Sequence, residues 1–437
     1  MHILQVHNSY RQRGGEDTVV AADAQLLRSA GHAVTQYIVP NPVRSIETVT
    51  RLGLSLWNPA AGRRFRRQLE VAKPDLVHIH NTWFSITPSA AYEARRAGTP
   101  VVMTLHNYRL SCATGQFFRD GSHCTDCLDG SALNGLLHRC YQDSFTASAF
   151  AAANTGIHRR LGTWTKNVDL FLCLTEFAKA HFIEAGIPEE KLRVRHNCVA
   201  DLDERTVPPS KSRQFAYIGR LSSEKGVRGL LAAWRLAGLQ DCELLVVGDG
   251  PEREALEAMC VPGVRFTGPV EHDAVLETLR SVRCLLLPSL WFEGEPMIVI
   301  EALAAGTPVL ASDVGGIPEL LGHGSAGWLT KAGDVDAWRR CLQDLRENAG
   351  INAKSRAARD MYLKRHTPLE GLQSLVGSYE SLNLAASPAD RSGWMPRFPA
   401  SDEYPSSDLG LGETNGHEPP VAWCRQRQPG SRPVGVA

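Results

Sequence analysis

The stretch PSLWFEGEPMIVIEALAAGTPVLASDVGGIPE, residues 288–319, carries the pattern that decides the fold. The apolar run CLLLPSL predicts a buried strand, MIVIEALAAG predicts a helix that ends at Gly306, and PVLASDV predicts the next strand. Gly294 and Pro296 make the turn, with the proline at the helix start. A strand, helix, strand unit of this kind is typical of a parallel sheet covered by helices.

Two glutamates, Glu293 and Glu301, stand on either side of the predicted junction between loop and helix. The N–H groups that begin a helix are unpaired and carry partial positive charge, so they can receive a phosphate. Glu301 lies roughly a turn and a half further on and can accept hydrogen bonds from ribose hydroxyls. An ordinary strand, helix, strand repeat with two solvated glutamates is the open alternative.

The same alternation continues along the chain, with six predicted strands in each half. They are HILQVH, VTQYIV, DLVHIH, PVVMTLH, DLFLCLT and LRVRHN, then FAYIGRL, CELLVVGDG, VRFTGPV, CLLLPSL, PVLASDV and GWLT. Two successive sets predict two α/β domains with doubly wound parallel sheets, at 1–198 and 199–364, joined through the polar segment 199–213. We expect a helix at 365–385 to pack back toward the first domain. Residues 386–437 are rich in Pro, Ser and Gly and are predicted to be disordered.

The amino-acid composition excludes several classes of protein. The 437 residues include 47 basic and 47 acidic side chains, and this balance argues against nucleic acid as the main partner. No run approaches the roughly 20 apolar residues of a membrane span, and the chain opens on a predicted strand where a signal peptide would have a charged segment. We therefore expect a cytoplasmic protein. Eleven cysteines, an odd number, favour reduced thiols over a disulfide framework.

Further candidate ligand groups follow other predicted strands. Gly14 and Gly15 let the backbone approach a ligand, although the segment is not a GxGxxG fingerprint and a plain tight turn explains it as well. In the second half, Arg220 and Lys225 suit a diphosphate leaving group, with solvated surface as the alternative. Because parallel sheets bind ligands at the carboxyl ends of their strands, we expect these cations to lie near Glu293.

Together, GRLSSEKG, VVGDGPERE and two glutamates with seven residues between them resemble the retaining glycosyltransferases of family 4. The resemblance runs from Met1 to about residue 382 and includes HNSYRQRGGED and NCVADLD, where Cys198 replaces a glycine. It implies the glycosyltransferase-B architecture, in which two Rossmann-like domains face each other across a cleft. The usual phenylalanine and glycine after the first glutamate's glycine are Glu295 and Pro296 here, and proline removes one N–H donor.

The resemblance also implies a reaction. A sugar passes from a nucleotide-diphosphate sugar, held mainly by the second domain, to an acceptor hydroxyl on the first, with retained configuration. Separately, nothing in the sequence demands a catalytic metal. The acceptor would be a sugar, a lipid-linked molecule or another hydroxyl compound in polysaccharide or glycoconjugate biosynthesis. A nucleotide-sugar epimerase of the same architecture and a non-catalytic nucleotide-sugar binder are the alternatives, although a binder would be expected to lose Glu293.

Matched by motif, the first glutamate contacts sugar hydroxyls, the second contacts ribose, and the two cations bind the diphosphate. The implied donor-binding residues are Gly14, Gly15, Arg220, Lys225, Gly294, Met297, Ile298 and Glu301. The implied catalytic residues are Glu293 and His106, although a neutral core histidine is the competing interpretation of His106. His7, His78 and His80 also lie near strand ends, and alternation puts His78 and His80 on one face without showing whether that face meets the cleft.

Two features stand apart from the donor site. Cys112, Cys124, Cys127 and Cys140 form C-x11-C-x2-C-x12-C in the loop 107–145 and predict a structural zinc site, with a redox pair, an iron–sulfur cluster or coincidence as alternatives. Residues 57–69, with four arginines around Phe65, have the composition of a peripheral contact with an anionic membrane at its inner face, where lipid-linked acceptors lie. An exposed helix face explains this segment equally well.

Overall fold

The computed structural model describes residues 1–10, 14–41, 56–202, 205, 207–347 and 350–382. The predicted tail at 386–437, part of the joining segment and the end of the predicted helix 365–385 lie outside these residues. The domain boundaries assigned above stay a prediction.

Two six-stranded sheets form the centre of the molecule. The first sheet comprises β1 His2–Ser9, β2 Ala33–Pro40, β3 Leu76–Ile79, β4 Val101–Leu105, β7 Leu170–Cys173 and β8 Leu192–Val194. The second comprises β9 Gln214–Ile218, β10 Glu243–Val247, β11 Val264–Gly268, β12 Cys284–Leu287, β13 Val309–Ser312 and β14 Gly327–Thr330. The strand orders are β2-β1-β3-β4-β7-β8 and β11-β10-β9-β12-β13-β14, and neighbouring strands within each sheet run parallel. These strands lie in the twelve predicted segments, and the prediction of two Rossmann-like parallel-sheet domains is confirmed.

Helices connect the strands and cover the sheets. In the first half they are Gly15–Ser29, Pro59–Ala72, Ser89–Arg96, Asp126–Asp129, Leu133–Leu137, Phe145–Leu161, Thr163–Asn167 and Glu176–Glu184. In the second half they are Val227–Ala237, Arg253–Glu257, His272–Ser281, Met297–Ala304, Ile317–Leu320, Val335–Arg346, Ile351–Arg365 and Pro368–Glu380. Short 3-10 turns occur at Glu189–Lys191, Pro209–Lys211 and Ser223–Lys225. No helix within the described ranges is both long and apolar enough to cross a bilayer.

The inner strands of each sheet are buried on both faces, as expected for nearly continuous apolar runs, whereas the edge strands β2 and β11 are partly exposed. The last described helix, Pro368–Glu380, packs on the first sheet although it follows the second in sequence. Its Leu372, Leu375 and Tyr379 share a buried cluster with Ile3 and Leu27. A 2.8 Å hydrogen bond also joins the Tyr379 hydroxyl to His78 Nδ1. The chain therefore crosses between the sheets twice.

The cysteine-rich segment 107–145 is ordered into a hairpin of β5 Phe118–Arg119 and β6 Ser122–His123, followed by two short helices. The four cysteines are free thiols, and all of them line one small cavity. However, among the residues that the structure describes, no group of three or more His, Cys, Asp or Glu side chains is placed to hold a metal ion. The structure therefore does not support the predicted zinc site.

The surroundings of two of these thiols are those of neutral groups. Cys112 Sγ lies within hydrogen-bond distance of Thr114 Oγ1, 3.2 Å away. Burial raises the pKa of Cys127 to about 11, with smaller contributions from Cys112 and Cys140. Burial of this kind favours the neutral thiol unless a cation compensates the thiolate that a metal ligand must be.

In the basic segment 57–69, the structure shows which side chains face outward. Asn58 caps the helix Pro59–Ala72, because its side chain accepts hydrogen bonds from the amides of Ala60 and Ala61. Phe65, expected among the groups that meet a membrane, is buried, and its ring lies 5.4 Å from that of Tyr37. The exposed face of the helix carries the four arginines, Arg63, Arg64, Arg66 and Arg67.

A buried ion pair ties the first helix to the end of the first sheet. Asp23 accepts two hydrogen bonds from Arg195, at 3.0 Å from Nη1 and 2.5 Å from Nη2, and both side chains are almost completely buried. Removing one partner of such a pair leaves a buried charge uncompensated, which costs far more than losing an exposed pair.

We expect Asp23→Asn to lower the free energy of unfolding by about 3–5 kcal/mol. Urea denaturation followed by circular dichroism measures this change. Arg66→Gln is the control, because Arg66 and Glu70 form an exposed pair, which contributes no more than about 1 kcal/mol. Equal small effects of the two substitutions would contradict the assignment.

Candidate functional site

Glu293 lies in the loop between β12 and the helix Met297–Ala304, and it is buried. Its Oε1 accepts hydrogen bonds from Lys225 Nζ at 2.7 Å and from Ser289 Oγ at 2.6 Å. A buried carboxylate needs such partners to offset the loss of hydration. The structure thus brings Lys225 and Glu293 together, as the sequence predicts. Ser289, four residues before the glutamate, was not singled out from the sequence.

Lys225 ends a short 3-10 turn after β9, and the next residue explains how that turn comes so close. Gly226 has a φ of +69°, and a Cβ there would lie only 2.1 Å from the carbonyl oxygen of Pro288. Only glycine permits this approach. Lys225 Nζ also lies 4.9 Å from the centre of the Trp291 ring, a cation–π contact. Arg220 precedes this turn and is exposed.

Glu301 lies in the helix Met297–Ala304 and is also buried. Burial raises its pKa, although the nearby His272 acts in the opposite direction. His272 Nε2 is 3.8 Å from Glu301 Oε1, and His272 begins the helix His272–Ser281 and is exposed. No motif in the sequence points to His272, because the two residues are 29 positions apart.

Groups of the first domain reach the same loop from across the gap between the sheets. A Cβ at Gly15 would lie 3.5 Å from Met297 Cγ, and a Cβ at Gly294 would lie 3.7 Å from the carbonyl oxygen of His106. The backbone at these two glycines is therefore in close contact with the opposite domain. Gly14 has a different role, since its amide donates to Asp17 Oδ2 at 2.9 Å at the start of the first helix.

Four histidines gather at the carboxyl ends of the central strands of the first sheet. His106 Nε2 and His80 Nδ1 share a hydrogen bond of 3.1 Å, and their rings are stacked. Burial, with the charges of His7 and Arg195, lowers the pKa of His106 to about 3, so the ring is neutral. His80 is thus directed at His106, whereas His78 is bonded to Thr104 and Tyr379 and has a structural role.

Several buried polar atoms around these histidines have no hydrogen-bond partner among the described residues. They are His7 Nδ1, Glu16 Oε1, His80 Nε2, Trp83 Nε1 and Arg109 Nη1. The Arg109 guanidinium lies over the Trp83 ring at 4.8 Å. Burial raises the pKa of Glu16 to about 7, although Tyr10 and Arg109 oppose the shift. Unpaired buried polar groups of this kind are typical of a surface that a polar ligand completes.

The two sheets thus meet at their carboxyl ends. The second domain contributes cationic and acidic groups, and the first contributes neutral histidines beside unpaired polar groups that include the Arg109 guanidinium. Family models match both halves of the chain. Residues 2–198 match the glycosyl transferase 4-like domain, and residues 200–362 match glycosyl transferases group 1.

Two curated relatives are similar over the greater part of the chain. The phosphatidyl-myo-inositol mannosyltransferase of Mycolicibacterium smegmatis is 26% identical over 361 residues, which cover 80% of this chain and 82% of the relative. The 2-deoxystreptamine N-acetyl-D-glucosaminyltransferase of Streptomyces fradiae is 27% identical over 340 residues, which cover 74% and 75%.

Solved structures share the fold. Anabaena HepE, in a complex with UDP-glucose, superposes with a TM-score of 0.61 at 17% identity and covers 87% of this chain and 100% of its own. Sucrose-phosphate synthase from Thermosynechococcus elongatus superposes with a TM-score of 0.65 at 16% identity and covers 88% and 100%.

The fold and the family matches define a glycosyltransferase of the glycosyltransferase-B class. Two facing Rossmann-like domains and a ligand surface at their junction are what this class requires. The chain belongs to glycosyltransferase family 4.

Proposed function

We propose that the protein transfers a hexosyl group from a nucleotide-diphosphate sugar to an acceptor hydroxyl with retained configuration. The observation that carries this proposal is the pair of half-buried Lys225 and buried Glu293, in a loop that meets Gly15 and His106 of the first domain through Met297 and Gly294. A cation here can bind a diphosphate, and a carboxylate beside it can bind sugar hydroxyls. The complex of HepE with UDP-glucose supports a donor of this kind.

The ion pair also suggests how the donor enters. Without a ligand, Lys225 neutralises Glu293. The diphosphate oxygens would compete for the ammonium group, and Glu293 would then accept hydrogen bonds from the sugar. Arg220, exposed after the same strand, would supply the second positive charge, and the amides that begin the helix Met297–Ala304 would face the phosphate. Glu301 would bind the ribose hydroxyls.

We propose front-face substitution as the mechanism. The bond between the anomeric carbon and the phosphate oxygen breaks, and its electron pair stays on the leaving diphosphate. The acceptor oxygen bonds to the same face of that carbon, and its proton passes to a diphosphate oxygen. The sequence places no carboxylate as a nucleophile, and we assign Glu293 to the sugar hydroxyls. Neutral His106 would accept or donate a hydrogen bond without adding charge.

The two glutamates should respond differently to substitution. We expect Glu301→Ala to weaken donor binding about tenfold with little change in kcat, because ribose contacts are the same in ground and transition states. Glu293→Ala should lower kcat by about a hundredfold or more, because it removes contacts to the reacting sugar. Initial rates with a panel of UDP- and GDP-sugars measure both effects. Glu277→Ala, an exposed residue on a neighbouring helix, is the control. Equal, small effects of the two site substitutions would refute their roles.

The stereochemistry and the absence of a covalent intermediate form a separate prediction. We expect proton NMR of the product to show the anomeric configuration of the donor, and rapid-quench mass spectrometry to detect no glycosyl-enzyme during a single turnover. A trapped covalent adduct would reject front-face substitution. Turnover of the donor to an isomeric sugar nucleotide without any acceptor would instead favour an epimerase.

Contact with a membrane is proposed for the arginine face of the helix Pro59–Ala72. Each exposed arginine near an anionic bilayer contributes about 1 kcal/mol. We therefore expect sedimentation with phosphatidylglycerol vesicles, weakened when Arg63, Arg64, Arg66 and Arg67 are all replaced by glutamine. Vesicles of phosphatidylcholine alone are the control. Equal sedimentation of the wild type and the fourfold variant would refute membrane contact through these arginines.

A further inference from the structure

Glu295 stands where the family pattern has phenylalanine, and its carboxylate reaches into the first domain. The side chain is fully buried, with 0% of its surface exposed. Its Oε1 accepts a hydrogen bond from His196 Nδ1 at 2.7 Å, and its Oε2 accepts one from the amide of Asn197 at 2.5 Å. Both oxygens of a buried carboxylate are therefore bound by one short segment about a hundred positions away in sequence.

That segment is the chain crossing that follows β8, residues 196–199. It is held from the other side by the end of the helix Ile351–Arg365. His366 Nδ1 donates to the carbonyl of Asn197 at 2.9 Å, the amide of Val199 donates to the carbonyl of His366 at 3.1 Å, and the Tyr362 hydroxyl donates to the carbonyl of Val199 at 3.2 Å. The crossing is thus a fixed support rather than a free linker.

At its other end, Glu295 is part of the loop that carries Glu293. Only Gly294 separates the two glutamates, and Pro296 leads directly into the helix. The carbonyl of Glu293 accepts a hydrogen bond from the Gly316 amide at 2.9 Å, so this loop is held by its own domain on one side and by the crossing on the other. A displacement of Glu295 would be transmitted to Glu293 within two peptide units.

We propose that Glu295 is a positioning residue, whose carboxylate anchors the Glu293 loop to the crossing segment 196–199 through His196 and the Asn197 amide. We assign it no contact with substrate, because its carboxylate is buried and bound by these two donors. Its importance for turnover rests on the proposed role of Glu293, but the anchoring itself does not.

The charges around His196 should make the anchor depend on pH, which a purely apolar contact would not do. His196 faces Glu295, Glu319, Arg365 and His366. Burial lowers the pKa of His196, but the hydrogen bond and charge of Glu295, with Glu319, outweigh it and raise the pKa. The charge contribution of His196 to the anchor is therefore fully present below the ordinary histidine pKa of about 6.5 and is lost as pH rises through the raised value, so the anchor weakens while the Asn197 amide still donates to Glu295.

Hydrogen–deuterium exchange of peptides that cover residues 290–297 tests the anchor directly in the full-length protein. We expect Glu295→Gln to speed exchange there by about tenfold, the equivalent of roughly 1.4 kcal/mol of local opening. In the wild type, protection of the loop should fall as pH rises above the His196 pKa, after correction for intrinsic exchange. In Glu295→Gln this pH dependence should disappear. Unchanged exchange in the variant at every pH would overturn the proposal.

A second contact across the gap provides a matched control. Glu319 Oε2 accepts hydrogen bonds from the amides of Glu176 and Phe177, at 2.8 and 3.3 Å, but Glu319 is not part of the Glu293 loop. Its charge also raises the pKa of His196, so the two variants are compared below about pH 6.5, where His196 is protonated. If Glu319→Gln mobilises residues 290–297 as much as Glu295→Gln does, contact between the domains in general is responsible and the specific anchor is refuted. A smaller effect of Glu319→Gln supports the anchor.

His196→Gln covers the case in which the Glu295 variant does not fold, because His196 is only partly buried. It should reproduce the faster loop exchange, and the double variant should be no worse than either single one. Additive effects would reject action through His196.

In the enzymatic assay we expect Glu295→Gln to lower kcat about tenfold with a smaller change in donor KM. If no UDP- or GDP-sugar binds the wild type, the proposed donor site fails, while the exchange result still decides the anchor.

Discussion

The junction between the domains depends on the need to pair buried carboxylates. Glu293 and Glu295 lie in the same loop and are both removed from water. Each would be costly without donors, and each finds them in a different domain. Glu293 is paired by Lys225 and Ser289 of the second domain, whereas Glu295 is bound by His196 and Asn197 at the end of the first. The loop therefore has one well-defined position only when both domains are in contact.

The two domains present different charged groups to the junction between them. The second domain presents Lys225 and the exposed Arg220, which suit a phosphate-bearing donor. The histidines that face it from the first domain are neutral at ordinary pH, because burial outweighs the nearby carboxylate at His7 and lowers the pKa of His106 to about 3. The first domain also holds Arg109 near these histidines, with its guanidinium over the Trp83 ring. The histidines themselves therefore add no positive charge to the cations on either side.

The sequence predicts the sheets well because fully buried parallel strands are continuous apolar runs, and it predicts the meeting of Lys225 and Glu293 because both follow such strands. Prediction from the sequence fails where a role depends on the direction in which a side chain points, or on a contact with a residue far away in sequence. Composition marks the helix Pro59–Ala72 as basic and aromatic but does not show that Phe65 faces inward. Cysteine spacing predicts that four thiols lie close together, and they do line one cavity, but it does not show whether they are placed as metal ligands. Alternation places His78 and His80 together, yet only the packed helix Pro368–Glu380 distinguishes their roles.

Glu295 and Pro296 are better understood together than as two separate departures from the family pattern. Proline has no N–H, so the backbone at Pro296 cannot donate a hydrogen bond to a ligand or to a neighbouring segment. Its φ of −66° instead fixes the chain in an extended turn before the helix begins at Met297. The adjacent carboxylate reaches the crossing segment from this position. A proline that fixes the backbone and a side chain that contacts the first domain thus both restrict the position of this loop, one through the covalent ring and the other through hydrogen bonds.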